Sequence, residues 1–229
     1  MAPDTVSPAT TLRFAINLGN PVLAQQQPDG TITGITRQLA DNLAAAFHCQ
    51  AEFVCYSTAG KVVDDAVAHR WDIAFLAIDP LRAAVLRYTE PYLVIEGTLM
   101  VPASCAITSV SQMDLPDNTI NVGLGAAYDL FLSRHLSRAQ LRRYASSQQA
   151  IERFLAGEGD MVAGIRQVLA RHAGINGQYR VLPDSFTDIR QAICVPVASP
   201  LYETVAAHLE TWRQDGSLQA LIDHNITSR

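Results

Sequence analysis

Residues 75–92 read FLAIDPLRAAVLRYTEPY. The stretch closes an apolar run, WDIAFLAI (71–78), whose length and lack of polar alternation predict a strand buried on both faces. Asp79 and Pro80 then stop the strand. Aspartate suits a helix N-cap and proline the first helical position, so a short helical turn begins there. Arg82 falls in that turn, just beyond the carboxyl end of the strand. In open α/β sheets this edge is where ligands bind. A guanidinium there offers two parallel N–H donors to a carboxylate, which lysine cannot copy. The competing reading is a salt bridge that anchors the turn.

Outward from this stretch the pattern is strand and helix in alternation. LRFAI (12–16) is a strand ending in an Asn-Leu-Gly-Asn-Pro loop. PDGTITGI (28–35) is a turn with a brief hairpin signal. TRQLADNLAAAFHC (36–49) sets Leu39, Leu43, Ala46 and Phe47 on one helical face. AEFVCY (51–56) is a strand, and Ser57 or Thr58 caps a helix through residues 61–70. After an extended segment at 97–103 the pattern restarts. Strands are predicted at 119–124, 141–145, 161–165 and 179–182, helices at 125–136, 146–160 and 166–174. RQAICVPV (190–197) is a second extended segment, and two amphipathic helices, 201–216 and 217–225, finish the chain. The organisation is therefore two α/β lobes joined by two extended crossovers. Residues 1–98 and 195–229 form the first, discontinuous lobe, and residues 99–194 the second. A cleft between such lobes is a usual small-molecule site.

Composition narrows the function classes. The chain has 229 residues, 48% hydrophobic and 17% charged, enough for a real core. Net charge is −5 with no basic run, which argues against nucleic acid as a partner. Lys61 is the only lysine among 17 basic residues, so amine chemistry would have to use it. No apolar run reaches the roughly 18–20 residues of a membrane span. The start, MAPDTVSPATT, lacks the charged and apolar regions of a signal peptide and resembles the frayed start of a mature exported chain. Cys49, Cys55, Cys105 and Cys194 show no metal-ligand spacing. Cys49 ends a helix and Cys55 lies well along the next strand, too far apart to bond, so four free, mostly buried thiols are expected.

Arg82 followed by YTEPY resembles the arginine and Phe/Tyr-Ser/Thr-x-Pro-Tyr pattern of the bacterial extracellular solute-binding proteins of family 3, the polar amino acid type. The Gly-Asn loop after the first strand, GDMVAG (159–164) and the C-terminal helix pair agree in order and spacing, over about residues 11–227. The resemblance implies a type II periplasmic binding protein, or Venus-flytrap, fold. It implies a periplasmic receptor that captures a small carboxylate-bearing ligand and delivers it to an ABC importer permease. It also implies a monomer with no cofactor, no metal and no catalytic residue, with Arg82 on the position that holds the ligand carboxylate. A cytoplasmic location is the alternative.

The chain departs from the pattern in several places. Phe75 and Ala77 stand where small or hydroxyl residues usually precede the arginine. Ala126, Ala127 and Tyr128 follow Gly125 where Gly-Ser/Thr-Thr is usual, leaving backbone N–H donors at a helix start. Asn20, with Asn17 nearby, replaces the cleft aromatic of the first loop. The position of the acid that receives the ligand ammonium falls on Ile165, with Arg166 next. Glu96 is the nearest substitute acid. Arg82 and Arg166 together would suit a small carboxylate or a dianion. Two further readings share the fold: a cyclohexadienyl dehydratase-like enzyme with Glu90 or Glu96 as acid, and a sensor module detached from a membrane kinase. The six histidines fall on helices or helix ends, none paired at metal spacing, and no nucleophile elbow, HExxH, P-loop or GxGxxG is present.

Overall fold

A computed structural model describes residues 10–175 and 177–227. The expectation about an exported start falls largely on residues 1–9, outside the described residues. The first α/β unit runs β1 (Thr11–Asn17), the short hairpin β2 (Gln25–Gln26) and β3 (Ile32–Thr33), α1 (Ile35–Ala46), β4 (Gln50–Tyr56), α2 (Ala59–Ala66) and β5 (Ile73–Ala77). After a single 3₁₀ turn at Arg82–Ala84 comes the 17-residue strand β6 (Leu86–Pro102). The second unit runs β7 (Thr119–Gly123), α3 (Ala127–His135), β8 (Gln140–Tyr144), α4 (Ser147–Leu155), β9 (Met161–Ile165) and α5 (Arg166–Ala173). Then follow β10 (Tyr179–Val181), β11 (Thr187–Pro196), α6 (Tyr202–Gln214) and α7 (Ser217–Thr227).

The two units repeat one arrangement. In the first, β1 lies between β4 and β5, all parallel; in the second, β7 lies between β8 and β9, again parallel. The long strands β6 and β11 pair antiparallel with each other and stitch the halves into one nine-stranded sheet, β4-β1-β5-β11-β6-β9-β7-β8, with β10 beside β6. Both faces of β5 are covered, which explains its unbroken apolar run. Phe14, Ile35, Leu39, Leu43, Phe75 and Val205 pack one core of the first half. Leu99, Ile120, Val122, Leu132 and Ala163 pack the second.

YTEPY belongs to β6, and its role is structural. The β6–β11 register slips on both sides of Ala192, opposite Pro91. A proline lacks the N–H that a regular ladder needs, so it belongs where the ladder is already broken. Thr89 mends the break: its hydroxyl oxygen accepts the Ile193 N–H at 3.2 Å and donates to the Glu90 carbonyl at 2.9 Å.

One ion pair ties the start of β5 to β1. The Arg13 guanidinium holds both Asp72 oxygens, at 2.8 and 3.1 Å, and the Arg13 N–H donates to Asp72 Oδ2 at 2.8 Å. Burial alone would raise the Asp72 pKa. The Arg13 hydrogen bonds and charge outweigh it and hold the carboxyl below its ordinary 3.8. A depressed carboxyl stabilises the fold above its unfolded pKa, and that stability is lost as pH falls through the folded value. Asp72→Asn is therefore expected to flatten the fall in urea midpoint between about pH 4.5 and pH 2.5; equal slopes in wild type and variant would remove Asp72 from the acid transition.

Candidate functional site

The carboxyl ends of the parallel strands of both units face one another, and their loops enclose a cavity of about 650 Å³. That is within the range of small-molecule sites. The first unit contributes Asn17, Asn20, Tyr56, Ser57, Thr58, Ala77 and Arg82; the second contributes Ala126, Ala127, Tyr128, Ser146, Ser147, Ile151, Ile165 and Val168. Ile189 and Gln191, two residues apart on β11 and so on one face, also line it.

Arg82 is placed by its turn. The Asp79 carboxylate accepts the Leu81 N–H at 2.8 Å and the Asp79 carbonyl accepts the Ala83 N–H at 2.9 Å, so the chain coils back over the end of β5. The Arg82 side chain is 3% exposed. Its Nη1 donates to the Ala77 carbonyl at 3.1 Å and its Nη2 to the Gly125 carbonyl at 2.8 Å. Each terminal nitrogen carries a second N–H beyond these bonds, and the Tyr88 hydroxyl also interacts with the guanidinium. Arg82 forms no ion pair with a described carboxylate. Burial pushes its pKa below the usual 12.5, partly offset by the field of Tyr88, Asp79 and Cys194. A guanidinium stays protonated through such a shift. The result is a desolvated cation on a cavity wall, an environment in which an incoming anion interacts strongly.

The bond to Gly125 also joins the halves, since Arg82 and Gly125 lie in different units. Arg134 of α3 adds a second tie, its Nη2 donating to the buried Asp79 carboxylate at 2.9 Å. Gly125, at φ +72°, meets Gly60 at the same seam; a Cβ on Gly125 would sit 3.4 Å from the Gly60 Cα. The buried Asp129 carboxylate accepts the Gly125 N–H at 2.9 Å and is itself paired with Arg143.

Of the residues expected from sequence, Arg82, Asn17, Asn20, Ala77, Ala126, Ala127 and Tyr128 line the cavity. Asn17 and Asn20 use their side-chain oxygens to accept the Gly19 and Val22 N–H groups, at 2.9 and 3.2 Å. Tyr128 is buried, with its hydroxyl bonded to Ser147, so it both packs and lines. Phe75 does not reach the cavity: it shares a face of β5 with Ala77 but sits two residues further from the carboxyl end of the strand, packed in the first core. Glu96 and Arg166 are also elsewhere, because they pair with each other. Ile165 takes the cavity position, and Arg166, next in sequence, opens α5 and donates to the carbonyls of Leu182 and Pro183 at 2.8 and 3.1 Å. The expected pair of guanidiniums is thus replaced by one.

Among the described residues, Arg82 is the single ionised one of the lining. Burial raises the Tyr56 pKa, helped by Asp65, and the Tyr128 pKa, both to about 12, so both phenols are neutral near pH 7. Cys55 also lines the cavity. All four cysteines are free; only Cys194 is buried and Cys55 is exposed, against the expectation of mostly buried thiols.

Sequence reading missed the hydroxyls of Ser57, Thr58, Ser146 and Ser147 as cavity residues. A signal was present: Tyr56-Ser57-Thr58 and Tyr144-Ala145-Ser146-Ser147 close equivalent strands in the two units. Gln191 was also missed, and a lone glutamine in RQAICVPV carries no comparable signal. Among the described residues no cluster could hold a metal ion, and no helix is long and apolar enough to cross a membrane.

Solved structures share the fold. An ancestral amino acid-binding protein, a precursor of cyclohexadienyl dehydratase, superposes with a TM-score of 0.80 at 22% identity, covering 94% of each chain. A protein from Wolinella succinogenes complexed with lysine gives 0.80 at 21% identity, over 93% of this chain and 94% of the other. The solute receptor for L-cysteine of Neisseria gonorrhoeae gives 0.82 at 20% identity, over 94% and 89%. The fold is the two-lobed type II periplasmic binding protein fold. Comparison with curated protein sequences returned no match. The family model of the bacterial extracellular solute-binding proteins, family 3, matches residues 12–228, and the chain belongs to that family.

Proposed function

We propose that this protein is a receptor that takes a small carboxylate-bearing ligand into the cleft between its halves and hands it to an ABC importer permease outside the cytoplasmic membrane. The lobes are residues 1–98 with 195–229, and 99–194, and the receptor acts as a monomer. One observation carries the reading: Arg82 is buried on the cavity wall, forms no ion pair with any described carboxylate, and gives only two of its five N–H groups to backbone carbonyls. Burying an unpaired charge is costly, and an anionic ligand relieves that cost. The Ala127 N–H at the start of α3 adds a favourable field for an anion, whereas the Ala126 N–H is taken by the Gly123 carbonyl at 3.1 Å. The relatives that bind lysine and L-cysteine support an amino acid or a close analogue as the size class.

The dehydratase reading requires a carboxyl group facing the substrate. Glu90 is exposed on β6 and Glu96 is paired with Arg166, and neither lines the cavity. Binding without turnover is the better account. Titration calorimetry of small carboxylic acids against their methyl esters tests it. Acids are expected to bind at least about tenfold tighter, the loss of one charge-assisted hydrogen bond or more. Equal affinity of ester and acid would overturn the assignment.

A further inference from the structure

We propose that Gln191 reads the group next to the ligand carboxylate, and that this group is uncharged: a hydroxyl, an oxo or an amide. The inference rests on the receptor reading above and narrows its ligand class.

Gln191 is 4% exposed and lines the cavity, yet its side-chain amide makes no hydrogen bond with any described residue. Buried amides are nearly always paired, so one left open toward a cavity is a donor and acceptor held for a ligand. Its place in the fold suits that role. Gln191 lies opposite Ala77 across the β5–β11 pairing, and the Ala77 carbonyl holds Arg82 Nη1. The amide therefore stands one strand away from the guanidinium. The register slip beside it, opposite Pro91, is the kind of bulge that re-aims a side chain at a site. The YTEPY stretch thus shapes the hinge strand that presents Gln191.

Charge decides the class of the neighbouring group. The lining carries one formal charge, that of Arg82. A monoanion neutralises it. A zwitterion leaves a net positive charge and sets its ammonium in a cavity whose wall holds no carboxylate, at a desolvation cost that a neutral group avoids. Ile151, Ile165 and Val168 leave an apolar wall for an alkyl part.

Four ligands on one carbon skeleton test this by calorimetry: 4-methylpentanoate, its 2-hydroxy and 2-oxo derivatives, and leucine. Wild type is expected to bind the 2-hydroxy or 2-oxo acid about tenfold or more tightly than both the unsubstituted acid and leucine. Gln191→Leu, which keeps volume and removes hydrogen bonding, is expected to bring the favoured acid to within about threefold of the unsubstituted one, whose own affinity holds. Gln191→Glu is expected to move the preference toward leucine. The proposal is overturned if leucine binds wild type most tightly, if Gln191→Leu weakens all four equally, or if none of the four binds. The wild-type ranking stands as a test even if a variant fails to fold. An absent ranking with acids still preferred over esters defeats this inference alone; esters binding as well as acids defeats the receptor reading.

Discussion

Arg82→Met is expected to weaken carboxylate binding by roughly 30-fold or more while leaving the ligand-free protein as stable as wild type, or more so. The guanidinium is desolvated, unpaired with any described carboxylate, and held by the carbonyls of Ala77 and Gly125. Removing one partner of a buried charge pair costs about 2–5 kcal/mol, roughly 30-fold to several thousandfold in affinity. Without ligand the sign reverses. A buried charge with no counterion is a burden on the fold, and methionine removes it at the price of two hydrogen bonds to carbonyls. Arg82→Lys keeps the charge but loses the fork and is expected to fall between the two. Calorimetry for affinity and scanning calorimetry for melting check both halves. A variant that melts well below wild type yet binds acids within about threefold would identify Arg82 as an anchor of its turn instead.

Trp71→Ala is expected to cost the most stability of any single truncation in the first half. Trp71 is 1% exposed, its Nε1 donates to the Val62 carbonyl at 2.9 Å, and it packs with Tyr56, Ala66, Leu76 and Leu86. Buried Trp-to-Ala changes cost about 3–5 kcal/mol. In a chain of this length that lowers the melting temperature by roughly 6–20 °C. The indole fastens α2 against the start of β5, and β5 leads directly to Ala77 and Arg82. The folded variant is still expected to bind ligand, because the indole does not line the cavity. A melting shift under about 2 °C would show that the surrounding side chains collapse into the space.

These two residues were legible to different degrees. Arg82 stood out in sequence because an apolar strand, an Asp-Pro turn and a lone arginine are local signals, each with a local cause. Trp71 heads the apolar run 71–78, which marks it for packing but does not name its partners. The alternation of strands and helices was equally plain, since periodicity and caps are written within ten residues of themselves; β9 at 161–165 matches the expected boundaries, α1 and β4 match within three residues, and α4 ends five residues before the expected 160. The extended crossovers were placed correctly but underestimated, since β6 runs for 17 residues where only 97–103 was read as extended. The proline and the polar residues of YTEPY read as punctuation, and only pairing with β11 shows that the strand continues through them across a register slip.

By itself the sequence determined the α/β class, the repeat of the unit, the two crossovers and the arginine at a strand's carboxyl end. All of these follow from turn chemistry and from apolar spacing along the chain. Tertiary structure alone decided which side chains meet. It turned Phe75 into the core, paired Arg166 with Glu96, 70 residues away, and left Arg82 as the sole charge of the cavity. It also brought Gln191 beside the Ala77 strand, 114 residues before it in the chain. The physical reason is that an ion pair or an open amide depends on distance in space and on burial, and neither is encoded by the residues on either side of it.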